Sequence, residues 1–210
     1  MPISWFGFEY ETKSELEKIS ASNKEIVLLT QTFASPSTKS LIEEFRSNYK
    51  NVKHITYDSF SESSALNAYE SRYGVRGLSN YDFSKSKVIV SIGADFLGDW
   101  QGGGFDCSYA KGRIPDKGTM SRHIQFESNM TLSGANADVR VPLKLNEQKL
   151  VLIQIYKSIV GNKIQLKSDI SLNEKTKKIV DALIREIKSA ADGSVIISGI
   201  KDEDYQSLVL

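Results

Sequence analysis

The sequence predicts an α/β protein: an open, mostly parallel sheet with helices on both faces, in a three-layer α/β/α, Rossmann-like arrangement. Two segments carry this prediction, Lys87–Asp95 (KVIVSIGAD) and His123–Ser128 (HIQFES). Each is a short, apolar, β-rich run that stops abruptly on polar residues, as buried parallel strands do where they lead into ligand-facing loops. Strand–helix alternation recurs four or five times along the chain, which implies right-handed crossovers between parallel strands.

Periodicity and capping residues place the individual elements. Residues 1–22 contain four aromatic residues and then a polar, helix-prone run, and we expect them to form an N-terminal arm that packs onto the body. In chain order, the other predicted elements are a strand at Asn23–Gln31, a helix with Pro36 in its first turn, a strand at Val52–Tyr57, a helix at Ser61–Tyr73 closed by Gly74, a strand at Val88–Ile92, a long loop with a short helix near Cys107–Lys111, strands at His123–Phe126 and Asp138–Leu143, a helix from its cap Asn146 to Val160, a helix opened by a capping box at Ser171–Glu174, a strand at Ser194–Ser198 and a helix starting at Asp202 or Asp204.

We predict one domain over residues 23–210, with a helical extension toward its C-terminal end. The last helix has barely begun when the sequence ends on the apolar turn Ser207–Leu210. Because apolar side chains need a partner surface, we expect this domain to be truncated from a longer chain.

Composition excludes several classes of function. The 210 residues are 40% hydrophobic and 25% charged, and the formal net charge of +1 provides no global field for nucleic acid. Cys107 is the only cysteine, so neither an internal disulfide nor a four-cysteine iron–sulfur site is possible within the chain. Only His54 and His123 could serve a histidine-based zinc site or a Ser-His-Asp hydrolase, and both lie in strand-like runs, so no metal site is expected.

Membrane insertion is not expected either. No stretch approaches the ~20 consecutive apolar residues that span a bilayer. The N-terminus lacks the basic region and apolar core of a signal peptide. We therefore expect the segment itself to be soluble.

The loop Thr30–Ser37 is the first candidate ligand-binding segment, because ligands of an open parallel sheet lie beyond the carboxyl ends of its strands. Thr30, Thr32 and Ser35 provide hydroxyl groups next to the N–H groups of a helix N-terminus, which suit an anion or a phosphate. The loop has neither the glycines of a dinucleotide fingerprint nor a GxxxxGK[ST] pattern. Ordinary helix capping, by Ser35 or Ser37, is the alternative.

Two further loops provide a glycine and two carboxylates. Gly93, after the third predicted strand, would let the backbone approach a ligand, and Asp95 would accept a hydrogen bond from a ribose hydroxyl or a purine edge. Glu127, just past the fourth strand, is the carboxylate best placed to reach the same crevice. The alternatives are that Gly93 relieves a tight turn, that Asp95 caps the residues after it and that Glu127 caps a turn.

The remaining polar clusters favour no site. The run Gly102–Gly104 precedes no helix of convincing length and predicts a flexible loop. Lys111, Arg113 and Arg122 are expected to be solvated or to pair with acids of a partner subunit.

Five segments recur in an order known from one family. They are Ser86–Trp100 (SKVIVSIGADFLGDW), Tyr109–Arg113, Met120–Glu127, Thr131–Asp138 (TLSGANAD) with the following VRVPLK, and the late strand at Gly193 that leads into a helix. Together they resemble the molybdopterin oxidoreductase superfamily, and most closely the large iron–sulfur subunit of alternative complex III, a bacterial quinol:cytochrome c oxidoreductase. The likeness covers roughly residues 24–210.

The resemblance implies a function. In that subunit a molybdopterin-like portion without the metal cofactor has a structural role, and a ferredoxin-like portion holds the iron–sulfur clusters. True relatives grip a molybdopterin guanine dinucleotide with the loops that match Thr30–Ser35, Gly93–Asp95 and Glu127 here. Phe96 stands where cofactor binders commonly have proline, and the N-terminal cysteine cluster is missing. Both departures favour an empty site.

Three hypotheses remain open at this point. The first is a non-catalytic domain that supports the cluster-bearing remainder of a respiratory subunit, on the periplasmic side of the bacterial inner membrane, among the other subunits of the complex. The second is a working molybdopterin guanine dinucleotide-binding oxidoreductase domain. The third is a free-standing domain that binds a small ligand.

Overall fold

The computed structural model describes residues 2–22, 24–32, 35–59, 61–115, 118, 120–161 and 171–210. Its two compact units are Met1–Ser61 and Glu62–Leu210. All described strand pairs are parallel and helices flank the sheets, so the predicted α/β class is confirmed. The predicted domain limits, an arm at 1–22 and one domain at 23–210, stay a prediction, since a compact unit is not by itself a domain that folds alone.

The described helices and strands follow the predicted alternation. In chain order they are α1 (Trp5–Ser20), β1 (Ile26–Thr30), α2 (Pro36–Asn48), β2 (Val52–Thr56), α3 (Ser63–Tyr73), β3 (Val88–Ile92), α4 (Asp106–Gly112), β4 (Arg122–Glu127), α5 (Leu132–Ala135), β5 (Val139–Pro142), α6 (Leu145–Val160), α7 (Glu174–Ala190), β6 (Ser194–Ser198) and α8 (Glu203–Ser207).

Two predicted helix caps are wrong. Helix α6 begins at Leu145, before the predicted cap Asn146, because the Glu147 carboxylate accepts the backbone N–H of Lys144 at 2.8 Å and closes the first turn earlier. Helix α7 is capped by Asn173 rather than by Ser171. The Asn173 side chain accepts the backbone N–H of Thr176 at 2.8 Å.

In the first unit, β1 and β2 form a parallel two-stranded sheet connected through α2. Ser35 caps α2 by accepting the backbone N–H of Thr38, and Pro36 occupies the first turn, as predicted. One face of the sheet is half-buried, and α2 contributes the buried Ile42. The other face exposes apolar side chains, among them Leu29 and Ile55.

In the second unit, a parallel four-stranded sheet has the order β5-β4-β3-β6. Every residue of β3 is buried, which explains why four of its five residues are apolar. Side chains that alternate along the strands enter two separate cores. Val90 and Phe126 join a core with α6 and α7, whereas Ile89 and Ile197 join an aromatic core that includes Tyr109 of α4. This unit therefore has three layers, α/β/α.

None of the helices in the described part of the chain has the length and apolar character that crossing a membrane requires.

Candidate functional site

The strand order of the second unit reverses at β3. Strands β4 and β5 extend to one side of β3, and β6 lies on the other side. In open α/β sheets, ligands bind beyond the carboxyl ends of the strands at such a reversal. Gly93 and Gly199, which directly follow β3 and β6, therefore mark the position where a nucleotide would lie.

Backbone contact joins the two strand ends at this position. Gly199 donates its N–H to the carbonyl of Ile92 at 2.9 Å, and a Cβ on Gly199 would overlap the carbonyl of Gly93. Gly93 adopts a left-handed conformation with φ of 71° and donates its N–H to the carbonyl of Phe126 at 2.7 Å. The predicted tight turn at Gly93 is thus present, and the backbone that approaches it belongs to the chain itself.

Gln148 of α6 fills the adjacent space. Its amide nitrogen donates to the Ser128 hydroxyl at 2.9 Å and to the carbonyl of Leu143 at 3.1 Å. Its amide oxygen lies 2.7 Å from where a Cβ on Gly93 would stand. Because Gln148 is only 2% exposed, its side chain forms part of the core and does not extend into a solvent-filled crevice.

Asp95 is engaged by the loop that follows β4. Its carboxylate accepts the backbone N–H of Ser133 at 2.9 Å, and the buried Ser133 hydroxyl accepts the backbone N–H of Leu97 at 2.9 Å. The second carboxylate oxygen lies against Gly98, where a Cβ would overlap it. These reciprocal bonds connect the loops after β3 and β4. The Asp95 side chain thus bonds a loop distant in sequence and does not cap the residues directly after it, which the alternative interpretation expects.

Glu127 is the most buried carboxylate of the site, with 2% exposure. It accepts hydrogen bonds from the Nε of Arg140, from the Thr131 hydroxyl at 2.6 Å and from the backbone N–H of Thr131 at 3.3 Å. Gly134 packs so closely against this carboxylate that a Cβ there would overlap it. Both oxygens of Glu127 therefore have partners within the chain.

A buried polar chain lies beneath the loop that carries Asp95. His123 contacts the Tyr109 hydroxyl at 3.2 Å and the Gln125 amide oxygen at 3.2 Å, and Gln125 donates to the carbonyl of Ala94 at 3.1 Å. Burial lowers the pKa of His123 from 6.5 to about 4, so the ring is neutral at pH 7. A neutral ring bonded on both sides supports the loop and is not placed for proton transfer with solvent.

Two arginines find their partners inside the chain. Arg113 forms two hydrogen bonds with the carboxylate of Asp138, at 2.7 and 2.8 Å, and this pairing lowers the pKa of Asp138. Arg122 pairs with Glu186 at 3.0 Å. The prediction of solvated charge is wrong for Arg113, whose side chain is only 18% exposed against Asp138. Arg122 remains half exposed beside Glu186 of α7, as expected for a solvated charge.

The first candidate loop lies in the first unit and is also engaged. The Thr30 hydroxyl contacts His54 Nε2 at 2.8 Å. Thr32 donates its N–H at 2.7 Å, and its hydroxyl as well, to the carboxylate of Asp58. These two bonds lower the pKa of Asp58, so an internal carboxylate holds the N–H and hydroxyl groups that a phosphate would need.

A scan against protein-family models finds no match, and a search of curated proteins finds none with significant similarity. Within the described residues, no three His, Cys, Asp or Glu side chains converge as metal ligands would. What the site can do is therefore argued from its own contacts.

The structure places three predicted site residues in each unit: Thr30, Thr32 and Ser35 in the first, and Gly93, Asp95 and Glu127 in the second. Sequence reasoning missed four of the groups that engage them, namely Asp58, Gln148, Arg140 and Gly199. A signal existed for Gly199, because it ends an apolar strand in the same way as Gly93. None existed for Gln148, whose role depends on how α6 packs.

Proposed function

We propose that this chain is a non-catalytic, molybdopterin-oxidoreductase-like domain of the iron–sulfur subunit of a respiratory quinol:cytochrome c oxidoreductase, where it gives structural support for electron transfer. One observation carries the proposal. The residues that would hold a nucleotide in a cofactor-binding relative are each engaged by groups of the chain itself.

The energies at Glu127 favour the internal partners. To bind a ribose or a guanine, Glu127 would have to release Arg140 and Thr131. Breaking a buried ion pair costs about 3–5 kcal/mol. A new hydrogen bond to a charged group returns about 1.5–3 kcal/mol. The exchange is unfavourable, so this carboxylate supports the fold of its loop and does not bind a ligand.

The same comparison applies at the other loops. A phosphate at Thr32 would have to displace the Asp58 carboxylate, and the two anions would repel one another. At the end of β3, the buried Gln148 side chain already occupies the space beside Gly93 that a ligand would approach. The residues present therefore do not fit a molybdopterin guanine dinucleotide, and the proposed domain has no cofactor of its own.

In this proposal the redox chemistry takes place outside these 210 residues. The cluster-bearing part of the same subunit would hold the iron–sulfur clusters, and other subunits of the membrane complex would be its further partners. The domain would lie on the periplasmic side of the inner membrane. The support for this assignment is the resemblance of residues 24–210 together with the single cysteine of the chain.

Purification from the native host under mild detergent tests the proposal. We expect the tagged chain to co-purify with a membrane complex that shows iron–sulfur signals by electron paramagnetic resonance and oxidises quinol with cytochrome c as acceptor. Metal analysis of the isolated 210 residues should show no molybdenum. Stoichiometric molybdenum and pterin in those residues would establish the cofactor-binding alternative, and a chain that purifies alone would favour a free-standing ligand-binding domain.

A further inference from the structure

Strand β6 forms one edge of the four-stranded sheet, and β5 forms the other. Exposed edges invite pairing with further strands, and soluble proteins usually protect them with charge or proline. The two edges of this sheet differ in that protection.

The β5 edge is protected. Leu143 donates its N–H inward to the carbonyl of Glu127, so alternation along the strand turns the peptides of Arg140 and Pro142 outward. Pro142 has no N–H to offer, and Arg140 places a charged side chain in this strand. Pairing of another strand along β5 is therefore disfavoured.

The β6 edge has neither device. Its sequence is SVIIS, without charge or proline. Gly199 donates inward to Ile92, so the peptides of Ile196 and Ser198 point outward. The carbonyl of Ser198 accepts a hydrogen bond from the Gln206 side chain at 3.0 Å. Among the described residues, the outward peptide of Ile196 has no corresponding partner.

An apolar groove runs beside this edge, with a volume of about 520 Å³. Its lining includes Leu152, Ile155, Ile159, Ile196, Leu208 and Arg72. Arg76 pairs with Glu70 on the same side of the unit, but Arg72 has no ion-pair partner in the described part of the chain. The groove thus combines the open peptide of Ile196, mostly apolar walls and one positive charge without an ion-pair partner among the described residues.

We infer that the β6 edge binds an extended strand of a partner polypeptide by β-augmentation. The strand pairs with the peptide of Ile196, places apolar side chains against α6 and carries an acidic residue that meets Arg72. We assign the partner strand to the cluster-bearing part of the respiratory complex, and this assignment rests on the proposed function.

Amide hydrogen exchange tests this inference. The exchange of the Ile196 amide is compared between the purified chain and the native complex. We expect exchange to slow by about tenfold or more in the complex, because a new ladder bond protects this amide. The Arg140 amide on the opposite edge is the internal control and should exchange equally in both.

A matched pair of variants provides a second readout. Ile196→Pro removes the outward N–H and should lower co-purification with the iron–sulfur polypeptide about tenfold. Ile196→Val keeps the N–H and should co-purify normally. Protection of the Val195 and Ile197 amides shows whether the proline variant retains its inner ladder. If the proline variant loses its hydrogen bonds to β3, a second pair of variants tests the inference. Arg72→Glu should reduce co-purification, whereas Arg185→Glu, a change at an exposed arginine outside the groove, should not.

The outcomes are distinct. If the chain co-purifies and the Ile196 amide exchanges equally in both samples, the inference is overturned and the proposed function stands. A chain that does not co-purify overturns the proposed function and this choice of partner together. A dimer of the purified chain in sedimentation that Ile196→Pro abolishes would show a second copy as the occupant, contrary to our assignment.

Discussion

Gly199 passes so close to Gly93 that a single methyl group on Gly199 would overlap the Gly93 carbonyl oxygen. The two glycines end the strands β3 and β6 at the position where an open α/β sheet binds its ligand. This close approach permits the hydrogen bond from the Gly199 N–H to Ile92, and it leaves no gap between the two strand ends.

Gly199→Ala should therefore destabilise the protein by about 1–3 kcal/mol, because the added carbon forces the two backbones apart. Gly77→Ala is the matched control, since its Cβ would make only ordinary contact with Tyr69 at 3.6 Å. Urea unfolding followed by circular dichroism measures both. Equal midpoints for the two variants would show that the strand ends separate freely.

Arg140→Ala should cost about 3–5 kcal/mol, because it leaves the buried Glu127 carboxylate without its countercharge. Arg122→Ala provides the control. Arg122 pairs with Glu186 at the surface, where ion pairs contribute up to about 1 kcal/mol. Chemical denaturation at pH 7 separates the two values, and similar losses would mean that Glu127 has no buried ion pair.

Stability should decrease between pH 6.5 and about 4 because of His123. Burial lowers the pKa of the folded-state ring to about 4, whereas in the unfolded chain it takes up a proton near 6.5. The unfolded state binds more protons in this window. The free energy of unfolding therefore decreases by up to about 3 kcal/mol as the pH is lowered from 6.5 to about 4. Above pH 6.5 the ring is neutral in both states, and the contribution of His123 to stability is fully present.

His123→Asn should remove most of this pH dependence of stability. The measurement is the difference between the urea unfolding midpoints at pH 7.5 and at pH 4.5. Asp138 does not confound the comparison. Arg113 lowers the pKa of Asp138, so the stability from this group is present above its ordinary pKa of 3.8 and is lost mainly below it. An unchanged slope in His123→Asn would contradict the assignment to His123.

Asp95→Ala should cost about 1–2 kcal/mol, because the Ser133 N–H loses its acceptor in a part-buried loop. Asp99→Ala removes a nearby exposed carboxylate that makes no side-chain cap and should have little effect. Thermal unfolding gives the difference. If Asp95→Ala were neutral, the two loops would not be held by this carboxylate.

The strands were predictable from the sequence because buried parallel strands have a local signature. Runs of three apolar residues, Val88–Val90 and Val195–Ile197, mark β3 and β6, and glycine follows each strand. Strand order was not predictable. Strand β6 comes last in the sequence and yet occupies the position beside β3, a pairing over about a hundred residues that no local pattern encodes.

Only the part of the candidate site in the second unit can be compared with the prediction, since Thr30, Thr32 and Ser35 lie in the first unit. Asp95 and Glu127 were predicted to share a crevice because each lies at the carboxyl end of a parallel strand. Strands β3 and β4 are neighbours, so the two residues do lie at the same edge of the sheet. Their partners depend on register and packing. Arg140 reaches Glu127 because β5 lies beside β4, and Ser133 reaches Asp95 because α5 folds over the end of β3.

Isothermal titration of guanosine monophosphate into the purified chain tests most directly whether the nucleotide-holding groups are already engaged. We predict no saturable heat up to millimolar nucleotide, where a dissociation constant of about 1 mM would correspond to only about 4 kcal/mol of binding energy. Saturable micromolar binding that is lost in both Asp95→Asn and Glu127→Gln would contradict the account.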